Sequence, residues 1–405
     1  MKERIVIVGA SLAGATAAVT LRDAGFDGDV TLVGEEPRPP YERPPLSKEY
    51  LRGEEPFERA LVRPEEDFAT NRIELRTGVR AGSIDTEARR VRLEDGEEIG
   101  YDRLLLTTGA VNNRLPVPGA DLPGVLDLRT VADADRIREA MAGARSAAVV
   151  GMGFIGAEVA ASLRTTGLEV TVVEMFSTAL ERALGPEVGR AVEALHRDRG
   201  VDLRFENGVE AFEGDGRLER IRTSTGDPVE CDFAVVGVGV RPASELAEAA
   251  GIRVDEGVLV DELARTSAEN VWAAGDVARH AHPLSEVPVR VEHWQNAIKQ
   301  GEAAARSMLG LGEPYGEVHW FWSDQYESRI EYAGVHAGHD EVVVRGSIEE
   351  RSFAAFYLDE GRLVGAASLD WPRDVRRAQK LIAAGVSPDR DVLRDAGVDL
   401  RKVAS

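Results

Sequence analysis

The sequence predicts an α/β protein with two Rossmann-like dinucleotide-binding units, followed by a C-terminal α+β module built on an antiparallel sheet. Three observations carry that prediction. Residues 147–174 hold a strand, a glycine turn, a helix, a second strand and a terminal acid in unbroken order; residues 4–36 repeat the pattern; and after Tyr315 the texture changes to short alternating runs dense in aromatic residues. Two units of one kind form an internal repeat, and a repeat of dinucleotide units suggests one for each of two nucleotides.

In the later copy, residues 147–150 are an apolar run short enough for a buried parallel strand, and Gly151, Gly153 and Gly156 complete G-x-G-x-x-G. A helical pattern of Ile155, Val159 and Leu163 stops at Gly167, and residues 170–173 form a β-branched run ending on Glu174. The glycines permit a tight turn, close approach of backbone to a pyrophosphate, and close helix–strand packing, while the helix N-terminus offers a positive dipole end. Glu174 falls near the spacing of about 20 residues at which an acid accepts hydrogen bonds from ribose hydroxyls. A site for a 2′-phosphate puts Arg or Lys just after the second strand. Here Glu174, Met175, Phe176 and Ser177 stand there and the first cation is Arg182, so NADH is favoured over NADPH.

The earlier copy runs from a strand at 5–8 through the turn 9–14 to a helix at 15–21 and a strand at 30–33, ending in Gly34, Glu35 and Glu36. Ser11 replaces the middle glycine, a small enough change for a pyrophosphate still to approach. Residues 41–48, Y-E-R-P-P-L-S-K, are Pro-stiffened and cannot be a central strand. They read as a surface loop or as a rigid arm delivering Arg43 and Lys48 to a ligand. Short strands and turns fill 72–98, and 101–109 is a strand entering a tight turn before a linker rich in Pro and Gly. Residues 186–199 look helical, 201–230 alternate, and 231–242 echo 101–109, so each nucleotide unit ends in the same kind of strand. An apolar strand at 270–276 closes on Gly275-Asp276, where ligands bind at the carboxyl ends of parallel strands. Residues 289–297 lead into a helix through Met308, and Trp320 and Trp322, two apart, share one strand face as core or as a wall beside a planar ring.

Composition bounds the function. A chain of 405 residues exceeds one ordinary core. With 43% hydrophobic and 30% charged residues it reads as globular and soluble, and no stretch reaches the apolar length of a membrane span. The start, M-K-E-R-I-V-I-V, enters a strand directly rather than a signal peptide, and a cytoplasmic address follows. A net charge of −22 argues against nucleic acid or an anionic membrane as partner. The single cysteine, Cys231, excludes internal disulfides and cysteine-based zinc sites and reads as a small buried hydrophobe. The histidines at 196, 280, 282, 293, 319, 336 and 339 include H-x-H at 280–282, but without a supporting carboxylate arrangement they read as solvated loop residues, and no metal ligand is expected. The basic run 370–380 reads as a solvated helix face or, through Arg373, Arg376, Arg377 and Lys380, as a docking patch for an acidic protein.

In order along the chain, V-G-A-S-L-A-G, Y-E-R-P-P-L-S-K, the T-T-G-A turn at 107–110, G-M-G-F-I-G, A-A-G-D and W-F-W-S-D-Q-Y resemble the FAD-dependent, NADH-using ferredoxin reductases of oxygenase systems, a branch of the pyridine nucleotide-disulphide oxidoreductase-like flavoproteins. The resemblance spans essentially the whole chain. It implies a discontinuous FAD domain at 1–110 and 240–314, an NAD domain at 111–239 and a C-terminal domain at 315–405. FAD would lie over Gly9, Ser11, Leu12, Ala13 and Gly14, with its adenosine ribose near Glu35 and Asp276 at the ribityl or pyrophosphate region. Arg43, Pro44, Val79, Thr108, Gly109, Arg129, Gly275, Trp294 and Trp322 (or Trp320) would line the cofactor, and Lys48 would sit by the isoalloxazine. NADH would lie over Gly151, Gly153, Phe154, Ile155 and Gly156, with Glu174, Arg182 and Gly239 completing its site and Glu158 near the nicotinamide. Lys48 and Glu158 are thus the residues expected to act on the chemistry.

Reaction type follows from an absence in the sequence. Disulfide reductases of this kind relay electrons through a cysteine pair, and related NADH peroxidases use one cysteine after the first helix; here none precedes position 231. Electrons must leave the flavin directly, which suits a two-iron two-sulfur ferredoxin feeding a haem monooxygenase or a Rieske dioxygenase. A rubredoxin acceptor, an NADH oxidase or peroxidase, and an NADH-sensing flavoprotein are the competing readings. The expected state is a monomer or weak dimer.

Overall fold

The computed structural model describes residues 2–335 and 338–403, so His336 lies outside the described residues. The chain forms two compact units: Met1–Glu42, Glu58–Val111 and Arg241–His319 make the first, and Arg43–Phe57, Asn112–Val240 and Trp320–Ser405 the second.

In the first unit a five-stranded sheet runs in the order Val271–Ala273, Arg103–Leu106, Arg4–Val8, Asp29–Val33, Ile73–Arg76. Every neighbouring pair is parallel. The central strand reads Ile5, Val6, Ile7, Val8 with all four buried, as a parallel strand covered on both faces requires. The helix Leu12–Asp23 packs against the helix Trp294–Met308. Gly301 makes that approach possible, because a Cβ there would stand 2.6 Å from the Ala13 carbonyl oxygen. The helix starts earlier than its sequence pattern suggests: Leu12, Ala13 and Gly14 already form its first turn. A meander of Ala81–Asp85, Arg90–Leu93 and Glu98–Gly100 and a mixed sheet of Val258–Val260, Ala278–His280 and Val289–Arg290 complete the unit.

The second unit repeats the parallel sheet in the order Asp202–Arg204, Glu169–Val173, Ser146–Val150, Phe233–Val236, Val125–Asp127. In both sheets the strand before the glycine turn is central, flanked by the strand that ends in the acid and by the strand the sequence marks as closing each unit. Phe154–Thr165 is the helix after the second turn. Glu181–Asp198 is helical but breaks at Gly185, whose φ of 76° precedes Pro186, a residue that disfavours helical geometry on its N-terminal side. The same unit holds an antiparallel sheet in the order Trp320–Gln325, Ser328–Gly334, Arg362–Leu369, Ser352–Asp359, Glu341–Ser347, with the helix Pro372–Ala383 packed against it. The molecule is thus α/β with two Rossmann-like sheets and a C-terminal antiparallel one. No helix among the described residues is long and apolar enough to cross a membrane.

Candidate active site

Both glycine turns are built as cradles. In the first unit Gly9 sits at φ 119°, where a Cβ would meet the Thr107 carbonyl oxygen at 2.1 Å, and a Cβ on Gly14 would meet the Gly9 carbonyl oxygen at 2.1 Å. Ser11 is the N-cap of the following helix, yet its hydroxyl makes no capping bond to the first-turn amides. In the second unit a Cβ on Gly156 would meet the Gly151 carbonyl oxygen at 2.0 Å, whereas the Cβ position of the N-cap Gly153 has nothing within 4 Å. A closed turn with an open place above uncapped first-turn amides fits the pyrophosphate of a dinucleotide.

At the carboxyl ends of the first sheet the sequence-predicted residues gather. Leu12 and Ala13 pack with Trp294, which opens the helix Trp294–Met308. Gly275, at φ 78°, comes within 3.0 Å (by its virtual Cβ) of the Ala13 Cβ, and its amide donates to Gln300 Oε1 at 2.7 Å. Asp276 follows it, half-buried. Val79 donates its amide to the Gly34 carbonyl at 3.1 Å, next to the exposed Glu35. Thr108 ties its hydroxyl to the Ala243 carbonyl at 2.7 Å, and Gly109 turns the chain at φ 73°.

In the second unit the carboxylate of Glu158 is buried and almost fully ligated. Its Oε2 accepts from Lys48 Nζ at 2.6 Å and from the Ser47 hydroxyl at 2.5 Å, and its Oε1 accepts from the Ser323 hydroxyl at 2.7 Å. The Lys48 and Glu158 side chains are 8% and 5% exposed, so the ion pair is shielded from solvent. The proline arm explains the placement: Pro44–Ser47 makes a tight helical turn whose backbone sets Ser47 and Lys48 side by side, and Ser162 fixes it by donating to the Ser47 carbonyl at 2.6 Å. Arg43 anchors the start of the turn through the Arg129 carbonyl.

From Ser323 the polar chain continues inward. Gln325 Nε2 donates to the Ser323 hydroxyl at 3.2 Å, its Oε1 accepts from His196 Nε2 at 2.9 Å, and Tyr326 stands 3.3 Å from His196 Nδ1. Ser47, Ser323 and Gln325 were not singled out from the sequence, and His196 was expected as a solvated loop residue. The available signal was the alternation of W-F-W-S-D-Q, which turns Phe321, Ser323 and Gln325 inward and leaves Trp320, Trp322 and Asp324 half-exposed. The two tryptophans do share a face, stacked with ring centroids 5.4 Å apart, and Arg376 and Arg329 cover Trp320 and Trp322.

Around the second glycine turn, Glu174 accepts the Met152 amide at 2.6 Å and the Phe176 amide at 2.9 Å, so this acid also braces the turn. Phe154 packs edge-on against Phe321, Arg182 reaches over the Phe176 ring, and Gly239 is exposed at φ 90°. Ile155 corrects the helical stripe expected for it: at 47% exposure it faces out beside the turn, and the helix is buried instead through Gly156, Ala157 and the residues up to Leu163.

The histidines also depart from expectation. His196, His280, His282 and His319 are buried rather than solvated, at 0–4% exposure. Desolvation pulls His196 and His280 down to about 4 and His319 to about 2. The physical reason at His280 is tertiary: the residue ends a strand rather than lying in a loop, and the segment carrying His319 folds back over it. Among the basic residues, Arg377 is held inward by Asp374 at 3.0 Å and Asp399 at 3.7 Å, while Arg373, Arg376 and Lys380 are exposed. Burial, then the neighbouring Asp232 and Glu230, push the Cys231 thiol up to about 12, which leaves it un-ionised and unreactive.

Two dinucleotide cradles in a chain without a reactive thiol define a nucleotide-dependent oxidoreductase. The chain belongs to the pyridine nucleotide-disulphide oxidoreductase family, whose profile matches residues 3–301, and a reductase C-terminal profile matches 320–404. It is 44% identical over 398 residues to rhodocoxin reductase of Rhodococcus erythropolis, covering 98% of this chain and 93% of that one. Among solved structures it superposes on the ferredoxin reductase for the CYP199A2 system from Rhodopseudomonas palustris with a TM-score of 0.97, at 37% identity over the whole of both chains. It also superposes on putidaredoxin reductase in its covalent complex with putidaredoxin, with a TM-score of 0.96 at 33% identity, covering 99% of this chain and 98% of that one.

Proposed function

We propose that this chain is the NADH-dependent reductase of an oxygenase system, working in the cytoplasm and passing electrons singly to a two-iron two-sulfur ferredoxin that serves a haem monooxygenase or a Rieske dioxygenase. The chain is an oxidoreductase of the ferredoxin–NAD(P) reductase kind, with FAD and NAD(P)H as its cofactors and an iron–sulfur ferredoxin as its electron acceptor. One observation carries the reading: the chain has a cradle for each of two dinucleotides, and its only thiol is buried and un-ionised. Bound FAD supplies the exchange between a two-electron hydride and single electrons.

The residues of the chain do the rest. The first cradle and Asp276 would hold FAD on a domain comprising 1–110 and 240–314, and the second cradle and Glu174 would hold NADH on 111–239, with 315–405 as the C-terminal domain. The exposed Ile155 and Met175 come after the central strand of the second sheet and after its neighbour Glu169–Val173, and offer apolar contact to a planar ring. Glu174 disfavours a 2′-phosphate by charge and supports NADH. Lys48 would keep a positive charge by the isoalloxazine that favours the reduced, anionic flavin, and Glu158, fixed by Ser47 and Ser323, would hold that ammonium in place beside the nicotinamide. Hydride transfer needs no proton from the protein, so the work left to these two residues is to orient and tune.

The test is anaerobic stopped-flow mixing of the flavin-loaded protein with NADH and then with a two-iron two-sulfur ferredoxin. Rapid bleaching followed by rapid ferredoxin reduction is the expected result. Bleaching without transfer to several ferredoxins, coupled to rapid reoxidation by oxygen or peroxide, would refute it.

A further inference from the structure

His280, His282 and His319, the three buried histidines of the first unit, lie outside both glycine turns, and their arrangement goes beyond the reductase reading. The candidate ligand nitrogens of His280, His282 and His319 all lie within 4.8 Å of one another. The three side chains are buried, at 1%, 4% and 3% exposure. Neither ring nitrogen of His280 or of His319 has a hydrogen-bond partner among the described residues. Four buried nitrogens in one small volume are thus without a partner, and buried polar atoms of this kind ordinarily find a protein atom, a water or an ion.

The third ring is oriented differently. His282 Nε2 lies 3.0 Å from the Glu317 carbonyl oxygen, and its Nδ1 lies 3.2 Å from the Leu284 amide. A carbonyl can only accept, so Nε2 carries the proton and Nδ1 is the basic nitrogen. Metal-binding histidines commonly present one nitrogen to the ion while the other donates to a backbone carbonyl. The Leu284 amide is the longer and weaker of the two contacts, and Leu284 is 40% exposed, so water can take over that donor.

We propose that His280, His282 and His319 form a tris-histidine site for a divalent transition-metal ion of the zinc type, with water as the fourth ligand. The donor set decides the class. Three neutral imidazoles and no carboxylate suit zinc, nickel or copper and not magnesium or calcium. A tetrahedral zinc site with bonds of about 2.0 Å brings the nitrogens to about 3.3 Å from one another, so the rings need to close by up to about 1.5 Å, within reach of side-chain rotation. The surrounding backbone is already tight: a Cβ on Gly316 would meet Pro283 Cγ at 2.7 Å, which locks residues 282–284 against 315–317. Tyr315 is no competitor as a ligand, because its hydroxyl donates to Asn296 Oδ1 at 2.9 Å. The ion would clamp the loop that follows Ala278–His280 to the segment that carries His319.

The experiment uses the flavin-loaded full chain without a polyhistidine tag, dialysed against chelator and then titrated with zinc. Elemental analysis after gel filtration should find about one zinc per chain, and zinc should raise the melting temperature. Cobalt(II) should give tetrahedral d–d bands at longer wavelength than the flavin absorption. His280→Gln and His319→Gln should each weaken zinc binding at least a hundredfold and abolish the zinc-dependent melting shift. His196→Gln, at a buried histidine outside the cluster, should keep both. Flavin content and circular dichroism report folding, and if one variant fails to fold the other decides. Substoichiometric zinc in the parent chain, or zinc retained by a folded His280→Gln or His319→Gln, overturns the site.

Discussion

Replacing Lys48 by methionine removes one half of a buried ion pair and leaves the other half in place. At 2.6 Å and an effective dielectric of about 20, the two charges attract by roughly 6 kcal/mol, most of it offset by their desolvation. The single change strands the Glu158 carboxylate with only the Ser47 and Ser323 hydroxyls, and should cost about 3–5 kcal/mol. Glu158→Gln strands the ammonium against the Pro44 carbonyl at 3.2 Å and the Ser47 hydroxyl at 3.4 Å, and should cost about 3 kcal/mol. The double variant Lys48→Met/Glu158→Gln carries neither unpaired charge, so its loss should fall short of the sum by about 3 kcal/mol. The assay is urea unfolding followed by near-ultraviolet circular dichroism at one fixed FAD concentration, since bound cofactor adds to apparent stability. Additivity of the single losses within about 0.5 kcal/mol would refute the buried pair. The same variants, mixed with NADH, should bleach the flavin more slowly if the pair also orients the reacting rings.

Gly156→Ala forces a methyl against the Gly151 carbonyl oxygen, 2.0 Å away, and should abolish NADH reduction while FAD remains bound; an unchanged KM for NADH would be incompatible with that turn as the cradle. Glu174→Ala removes the brace of the Met152 and Phe176 amides and should raise the KM for NADH more than it lowers kcat, a split that steady-state kinetics reads directly. His196 titrates near 4 when folded and near 6.5 when unfolded, so the unfolded chain takes up the proton first as pH falls; the contribution of this group is intact above 6.5 and declines down to about 4, by about 2 kcal/mol at pH 5, and His196→Gln should remove that share of the slope in pH-dependent unfolding while the other buried histidines keep theirs. Cys231→Ser should leave NADH-driven ferredoxin reduction unchanged, and iodoacetamide should not inactivate the folded parent chain; inactivation would contradict the burial of the thiol.

Much of the fold was legible because local and global signals coincide. The runs around Val6 and Val149 are apolar on both faces and end in glycine turns, so strand, turn and helix could be located without tertiary information. The candidate site was legible only where a residue type is forced by the turn, as at Gly9, Gly14, Gly151 and Gly156. Ser47, Ser323 and Gln325 escaped because their importance arises from residues more than 100 positions away, and a serine in an aromatic strand carries no mark of what it will face. The histidines were misjudged for a related reason. H-x-H at 280–282 looks like a loop until the segment with His319 covers it, and burial by a distant segment leaves no local pattern.

The interleaving of the two units bears on the order in which the chain folds as it is made. The first parallel sheet needs Val271–Ala273 beside Arg103–Leu106, and therefore waits for residues made long after its first four strands. The second parallel sheet is drawn wholly from 125–236 and has all its strands before residue 271 exists. Synthesis from the N-terminus thus favours early completion of the later-encoded sheet, while four strands of the earlier one stand with an open edge at Arg103–Leu106, an edge that can pair with a foreign strand until its own arrives.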